Sequence, residues 1–256
     1  MILAIDIGNS NIVVGCIDDT TTYFVERLST DNGKTDLEYA IGLKAILELY
    51  NISPNSIHGG IVSSVVPPLS NTMSRAVEKV IEKAPLLIGP GVKTGLNITI
   101  DNPAQLGSDL VVDAVAAMHQ YPVPLIVIDM GTATTMSVID KDKKYIGGVI
   151  IPGLRVATDS LISKTSQLPK ISLETPPHAI GKNTIDCMKS GAIFGNAALI
   201  DGMIDRIEGE LGMTATVIAT GGLARFILPH CTHSITYDDA LLLKGLQIIY
   251  KKNVQL

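Results

Sequence analysis

Apolar residues fall in short blocks set off by small polar ones, and the first block, Leu3 to Ile7, is broken only by Asp6. Gly8-Asn9-Ser10-Asn11 supplies turn chemistry and Ile12 to Ile17 is again rich in β-branched residues, a pattern that predicts a strand, a tight turn and a second strand. The same order of residue types returns at Leu125 to Asp129, at Gly131-Thr132-Ala133-Thr134-Thr135 and at Met136 to Ile139. Asp6 and Asp129 lie 123 residues apart (129 − 6), and Gly8 and Gly131 are offset by the same amount. Stacked-repeat proteins recur at roughly 20 to 50 residues. The longer offset therefore predicts two domains of similar design facing one another, spanning 1–119 and 120–256.

Between and after the two hairpins the periodicity alternates. Helical spacing predicts helices over Asp36 to Tyr50, Leu69 to Lys83 and Gly107 to His119, long helical stretches within Thr184 to Gly209, and a closing helix over Ala240 to Tyr250. Strands are expected at Gly59 to Val65, running into Pro67-Pro68, and at Ala215 to Ala219, running into Gly221-Gly222; Gly147 to Gly153 reads as a strand bracketed by glycines. Strands alternating with helices place the chain in the α/β class. Pro122 and Pro124 punctuate the expected boundary.

Composition narrows the functional classes. Hydrophobic residues make up 46% of the 256, enough for a full core, yet no apolar run approaches the roughly 20 residues that cross a bilayer. The apolar opening stops at Asp6 with no basic segment before it, which argues against a secretory leader and for the cytoplasm. A net charge of −5 leaves no basic stripe for a nucleic acid backbone. Cys16, Cys187 and Cys231 are too widely spaced for a disulfide framework or a zinc knuckle, and the five histidines show no HExxH pattern. Only 18% of residues are charged, which suggests a covered face beyond the monomer core, as in obligate homodimers.

A hairpin whose turn is built from Gly, Asn, Ser and Thr gathers backbone N–H groups and hydroxyls at one point, the donor set that phosphate oxygens need. An aspartate at the end of the preceding buried strand costs on the order of several kcal/mol unless it is paired or holds a cation. Paying that cost twice, at Asp6 and Asp129, points to use of both. The double glycine of Ala219-Thr220-Gly221-Gly222-Leu223-Ala224 lets backbone approach a flat ligand such as adenine or ribose.

Asp6-Ile7-Gly8-Asn9-Ser10-Asn11, Gly107-Ser108-Asp109, Asp129 to Thr135, Gly148 to Gly153 and Thr220 to Ala224 together resemble the ordered motif set of type III pantothenate kinases, over nearly the whole chain. The resemblance implies two actin-like (ribonuclease H-like) domains across a nucleotide cleft. It also implies transfer of phosphate from ATP to pantothenate, the first step of coenzyme A biosynthesis, by a cytoplasmic homodimer that uses Mg²⁺ and a monovalent cation, K⁺ or NH₄⁺. Carried over to this chain, it places ATP on Asp6, Ile7, Gly8, Asn9, Ser10, Asn11, Ile12, Val13, Thr132, Gly221 and Gly222. The monovalent cation falls at Asp129 and Mg²⁺ at Asp6, through water. Asp109 becomes the general base, a role a helix-start carboxylate can fill as well as it complements the helix dipole. Gly107, Ser108, Asp109, Leu110, Ile100 and Thr184 fall at the acceptor, and Thr184 could equally be a helix N-cap.

Two positions depart from the family pattern. Leu110 stands where an arginine usually follows Gly-x-Asp to grip pantothenate, and Ile100 stands where a tyrosine often precedes Asp101-Asn102-Pro103. A lost charge-assisted hydrogen bond costs about 1.5 to 3 kcal/mol. Either Arg155 or Lys182 compensates, or the acceptor is another small hydroxylated molecule, or the chain is a catalytically weak nucleotide-binding regulatory relative.

Overall fold

The computed structural model describes residues 1–254. In chain order the elements of the first half are β1 (Ile2–Ile7), β2 (Asn11–Ile17), β3 (Thr22–Ser29), α1 (Asp36–Leu49), β4 (Gly60–Ser64), α2 (Pro67–Ile81), β5 (Leu86–Leu87), β6 (Asn97–Ile98) and α3 (Ser108–Gln120). The second half adds β7 (Leu125–Met130), β8 (Ala133–Ile139), β9 (Lys144–Pro152), α4 (Leu154–Ser163), α5 (Thr184–Leu211), β10 (Thr216–Thr220), α6 (Ala224–Ile227), β11 (Ile235–Tyr237) and α7 (Leu241–Asn253). Two compact units result. Unit 1 holds Met1–Leu96, Asp101–His119 and the described residues from Ala240 onward, and unit 2 holds Asn97–Ile100 and Gln120–Asp239.

In unit 1 a five-stranded sheet runs in the order β3-β2-β1-β4-β5. All six residues of β1 are buried, as a near-continuous apolar strand requires when both faces of a sheet are covered. Leu3, Ile5 and Ile7 join Tyr39, Leu43 and Leu47 of α1 and Met73 and Val77 of α2 in one core. On the other face α7 lies against β1, β2 and β4. Helix α1 begins where Thr35 and Glu38 form a reciprocal capping box. Helix α2 begins at Pro67, two residues before the expected start, because proline is tolerated in a first helical turn whose N–H groups have no partner.

Unit 2 repeats the plan. Its six-stranded sheet runs β11-β10-β7-β8-β9-β6, and without β6 the order matches unit 1 strand for strand. Pairing senses match as well: β7 is antiparallel to β8 and parallel to β10, as β1 is to β2 and β4. The duplicated sequence pattern is therefore a duplicated topology. Helix α5 supplies Ile193, Ala197, Ile200 and Ile204 to a core with Ile126, Ile128, Met136 and Val217.

The ends of the units differ from the expected 1–119 and 120–256 division. Helix α7, last in the sequence, packs with unit 1, and β6, from the first half, pairs in parallel with β9. The amphipathic pattern of a helix shows that it must cover a sheet, not which of two similar sheets accepts it.

Candidate functional site

In unit 1 the β1–β2 ladder closes at Ile7↔Ile12, leaving four residues, Gly8 to Asn11, in the connection. Gly8 N–H donates to the Asn11 carbonyl at 3.0 Å. Thr30, just past β3, braces the turn: its Oγ1 donates to Gly8 O at 2.6 Å and its N–H to Ser10 O at 3.2 Å. Asn9, Ser10 and Asn11 are exposed at the tip, and Asp6 is buried one pair behind it. Ile7 and Ile12 are fully buried in the core, so only their backbone is available to a ligand.

Asp6 pairs in register with Ser63 of β4, which places the two side chains next to each other on one face of the sheet. Ser63 Oγ lies 2.9 Å from Ser108 Oγ at the start of α3. Asp109 follows, and its Oδ1 accepts the Leu110 N–H at 2.8 Å. A β-carbon on Gly107 would overlap Asp109 Oδ1, which explains why glycine precedes the acid by two positions. Burial pushes the Asp109 carboxyl above the ordinary carboxylate range, opposed in part by the N–H groups of Leu110 and of Asp109 itself. Leu110 adds an apolar, half-buried neighbour where the family pattern has a cation.

Unit 2 builds the second hairpin more tightly. The β7–β8 ladder closes at Met130↔Thr134, leaving three residues, Gly131 to Ala133, one fewer than in unit 1. Asp129 pairs with Thr135 on one side and Thr220 on the other. Gly221 follows Thr220 with φ +93°, and a β-carbon there would stand 2.6 Å from Asp129 Oδ1 and 2.7 Å from both the N and O of Met130. Only glycine takes that backbone conformation and allows that approach. Gly153 plays a similar part at the other edge of the hairpin: its N–H donates to Thr132 O at 3.1 Å, and an added β-carbon would lie 2.6 Å from Gly131 O and closer still to Thr132 O. Thr134 and Thr135 carry buried hydroxyls with no hydrogen-bond partner among the described residues.

Asp6 to Asn11, Ser63 and Gly107 to Leu110 thus gather in unit 1, and Asp129, Thr132, Gly221 and Gly222 gather in unit 2. Two expected acceptor residues stand apart from the second group. Ile100 follows β6, which β8 and β9 separate from β7. Thr184 is exposed in the first turn of α5 and is not its cap, because Asn183 accepts the Asp186 N–H at 2.9 Å instead. Arg155 is exposed in the first turn of α4, and Lys182 is exposed ahead of α5. Sequence reasoning missed Ser63 and Gly153 as site-shaping residues. Ser63 reads as ordinary strand interior, and Gly153 reads as the glycine that closes a strand and as the end of the Gly148 to Gly153 motif, with no sign of its approach to the second hairpin.

Among the described residues no group of three or more His, Cys, Asp or Glu side chains is placed to hold a metal. His233 is taken up by Asp205, with Nε2 and Oδ1 2.9 Å apart, and His230 by Thr175 at the same separation.

A family model described as type III pantothenate kinase matches residues 2–206. The chain is 44% identical over 253 residues to the type III pantothenate kinase of Exiguobacterium sp., covering 99% of both chains. It is 43% identical to that of Halalkalibacterium halodurans, covering 99% of this chain and 100% of the relative. Among solved structures, the activator of the 2-hydroxyisocaproyl-CoA dehydratase from Clostridium difficile, with bound ADPNP, aligns with a TM-score of 0.55 at 13% identity, covering 100% of this chain and 98% of that one. That likeness is one of fold, of the actin-like kind.

Proposed function

This chain belongs to the type III pantothenate kinase family, phosphorylating pantothenate with ATP at the first step of coenzyme A biosynthesis, and we propose that it does so with Asp109 as the general base. The observation that carries this assignment is the carboxylate held over Gly107 at the start of α3, on the strand framework that ends in the first phosphate-type hairpin.

In unit 1 the Gly8–Asn11 turn offers backbone N–H groups and the Asn and Ser side chains to the ATP phosphates, and in unit 2 the Thr132 hydroxyl is a donor of the same kind. Gly221 and Gly222 receive the nucleoside. Asp109 accepts the proton of the pantothenate hydroxyl as the oxygen attacks the γ-phosphorus, and the leaving group is ADP. In phosphoryl transfer of this kind, positioning and charge stabilisation supply most of the rate. Leu110 cannot donate to the pantothenate carboxylate, so the acceptor is held by neutral donors or by a basic residue elsewhere.

The donors near both aspartates are carboxylate, hydroxyl and backbone oxygens, a set that suits hard cations. Gly221 brings the backbone close to Asp129 Oδ1 and the Met130 carbonyl, oxygen donors of the kind a monovalent ion takes. Asp6 would hold Mg²⁺ through water, and when bound the ion neutralises phosphate charge. Chelating Mg²⁺ is expected to stop ADP release, and replacing K⁺ or NH₄⁺ with Na⁺ or a bulky organic cation to slow it. Steady-state ADP release measured with each ion omitted checks both, and unchanged turnover without monovalent cation would remove Asp129 from this role.

The family reading also implies a cytoplasmic homodimer. Unit 2 leaves Ile150, Val156, Leu161, Ile180 and Ile185 exposed, apolar surface that a second copy would cover. No helix among the described residues is long and apolar enough to cross a membrane.

A further inference from the structure

Ser108 has one hydroxyl proton and two lone pairs, and all three are engaged. Its Oγ accepts from Ser63 Oγ at 2.9 Å and from the Ser64 N–H at 3.1 Å, and it donates to the Ser64 carbonyl at 3.1 Å. Ser63 is fully buried, and its partner along the neighbouring strand is Asp6. The first residue of α3 is therefore fixed to the end of β4 by a saturated set of bonds, and the next residue is Asp109. Unit 2 has a hydroxyl at the strand position matching Ser63, Thr220, but the chain there passes directly into Gly221-Gly222.

We propose that Ser63 and Ser108 are positioning residues for Asp109, coupling the orientation of its carboxylate to the strand pair that carries the first hairpin. Gly107 supplies the space into which the carboxylate folds, the Leu110 N–H fixes one of its oxygens, and the serine pair sets where the helix starts. Loss of the Ser108 hydroxyl removes three bonds at once and frees the start of α3 to shift, whereas loss of the Ser63 hydroxyl removes one. Displacing a reacting group by about 1 Å can cost on the order of 100-fold in rate. This inference rests on the reading of Asp109 as the base.

The test is steady-state kinetics with ATP and pantothenate on Ser108→Ala, Ser108→Thr, Ser63→Ala and Asp109→Asn. Ser108→Ala is expected to lower kcat by roughly 10- to 100-fold while the KM for ATP stays within about threefold, the split that marks a loss felt at the chemical step. Threonine keeps the hydroxyl and should restore most of kcat, Ser63→Ala should fall between, and the acidic limb of the pH–rate profile should move in Ser108→Ala. Wild-type kcat and an unmoved limb in Ser108→Ala, even with a lowered melting temperature, would make the serines structural only and overturn the proposal. If Ser108→Ala does not fold, Ser63→Ala, which removes one bond where Ser108→Ala removes three, decides on the same criteria. An inactive Asp109→Asn beside a fully active Ser108→Ala overturns the positioning role alone, while an active Asp109→Asn removes the base assignment and the proposal with it.

Discussion

Asp109→Asn is expected to lose about 10²- to 10⁴-fold in kcat, the range a positioned general base contributes, with nucleotide affinity largely kept. Asparagine matches the carboxylate in shape and can still accept the Leu110 N–H, so α3 should start as before. What disappears is the ability to take the acceptor proton. The pH behaviour adds a second check. Burial raises the Asp109 pKa, so the wild-type kcat/KM should fall on the acid side through a limb above the roughly 3.9 of an ordinary aspartate. The sign for stability follows from the same shift. A carboxyl whose folded pKa is raised stabilises the protein below its unfolded pKa, and that contribution is lost as pH rises through the folded value. At neutral pH the ionised group is a cost, so Asp109→Asn should melt no lower than wild type there, and calorimetry across pH measures it. A variant that is inactive and also strongly destabilised would mean a folding defect rather than a missing base.

The second large effect is expected at Gly153. Its added β-carbon would meet backbone oxygens of Gly131 and Thr132, which cannot swing aside as a side-chain tip could. Either the second hairpin or the start of α4 must move. Gly153→Ala should therefore cost about 1–3 kcal/mol of stability as an overpacked site, and on the order of 100-fold in kcat through displacement of Thr132. Gly191→Ala is the control: it lies within α5 with open space around the new carbon, and alanine there should be neutral or stabilising by up to about 1 kcal/mol. Thermal unfolding and ADP release on both variants check the pair, and a Gly153→Ala variant indistinguishable from Gly191→Ala would show that the hairpin tolerates the shift.

What could be read ahead of the structure was local and repeated. Asp6-Ile7-Gly8 and Asp129-Met130-Gly131 each put an acid and a glycine at a strand end, so both hairpins and the duplication were legible, and apart from β6 the two sheets carry the same strand order. The register of each hairpin was not, because turn length sets it: four residues separate the last paired positions of β1 and β2, and three separate those of β7 and β8. Strand β3 escaped because its Glu26 and Arg27 interrupt the apolar pattern of an edge strand. Helix α4 escaped because its N-cap is Gly153, with no side-chain cap to announce it. The Ser63–Ser108 bridge joins residues 45 positions apart, and no local pattern records a contact of that kind.

The measurement that bears most directly on the central claim is product formation by the purified chain supplied with ATP, Mg²⁺, K⁺ and pantothenate, followed by mass spectrometry of the acceptor. ATP-dependent appearance of 4′-phosphopantothenate, with ADP released in equal amount, is the predicted result. No phosphorylated pantothenate at high enzyme and substrate concentrations, from protein that still binds ATP, would contradict it.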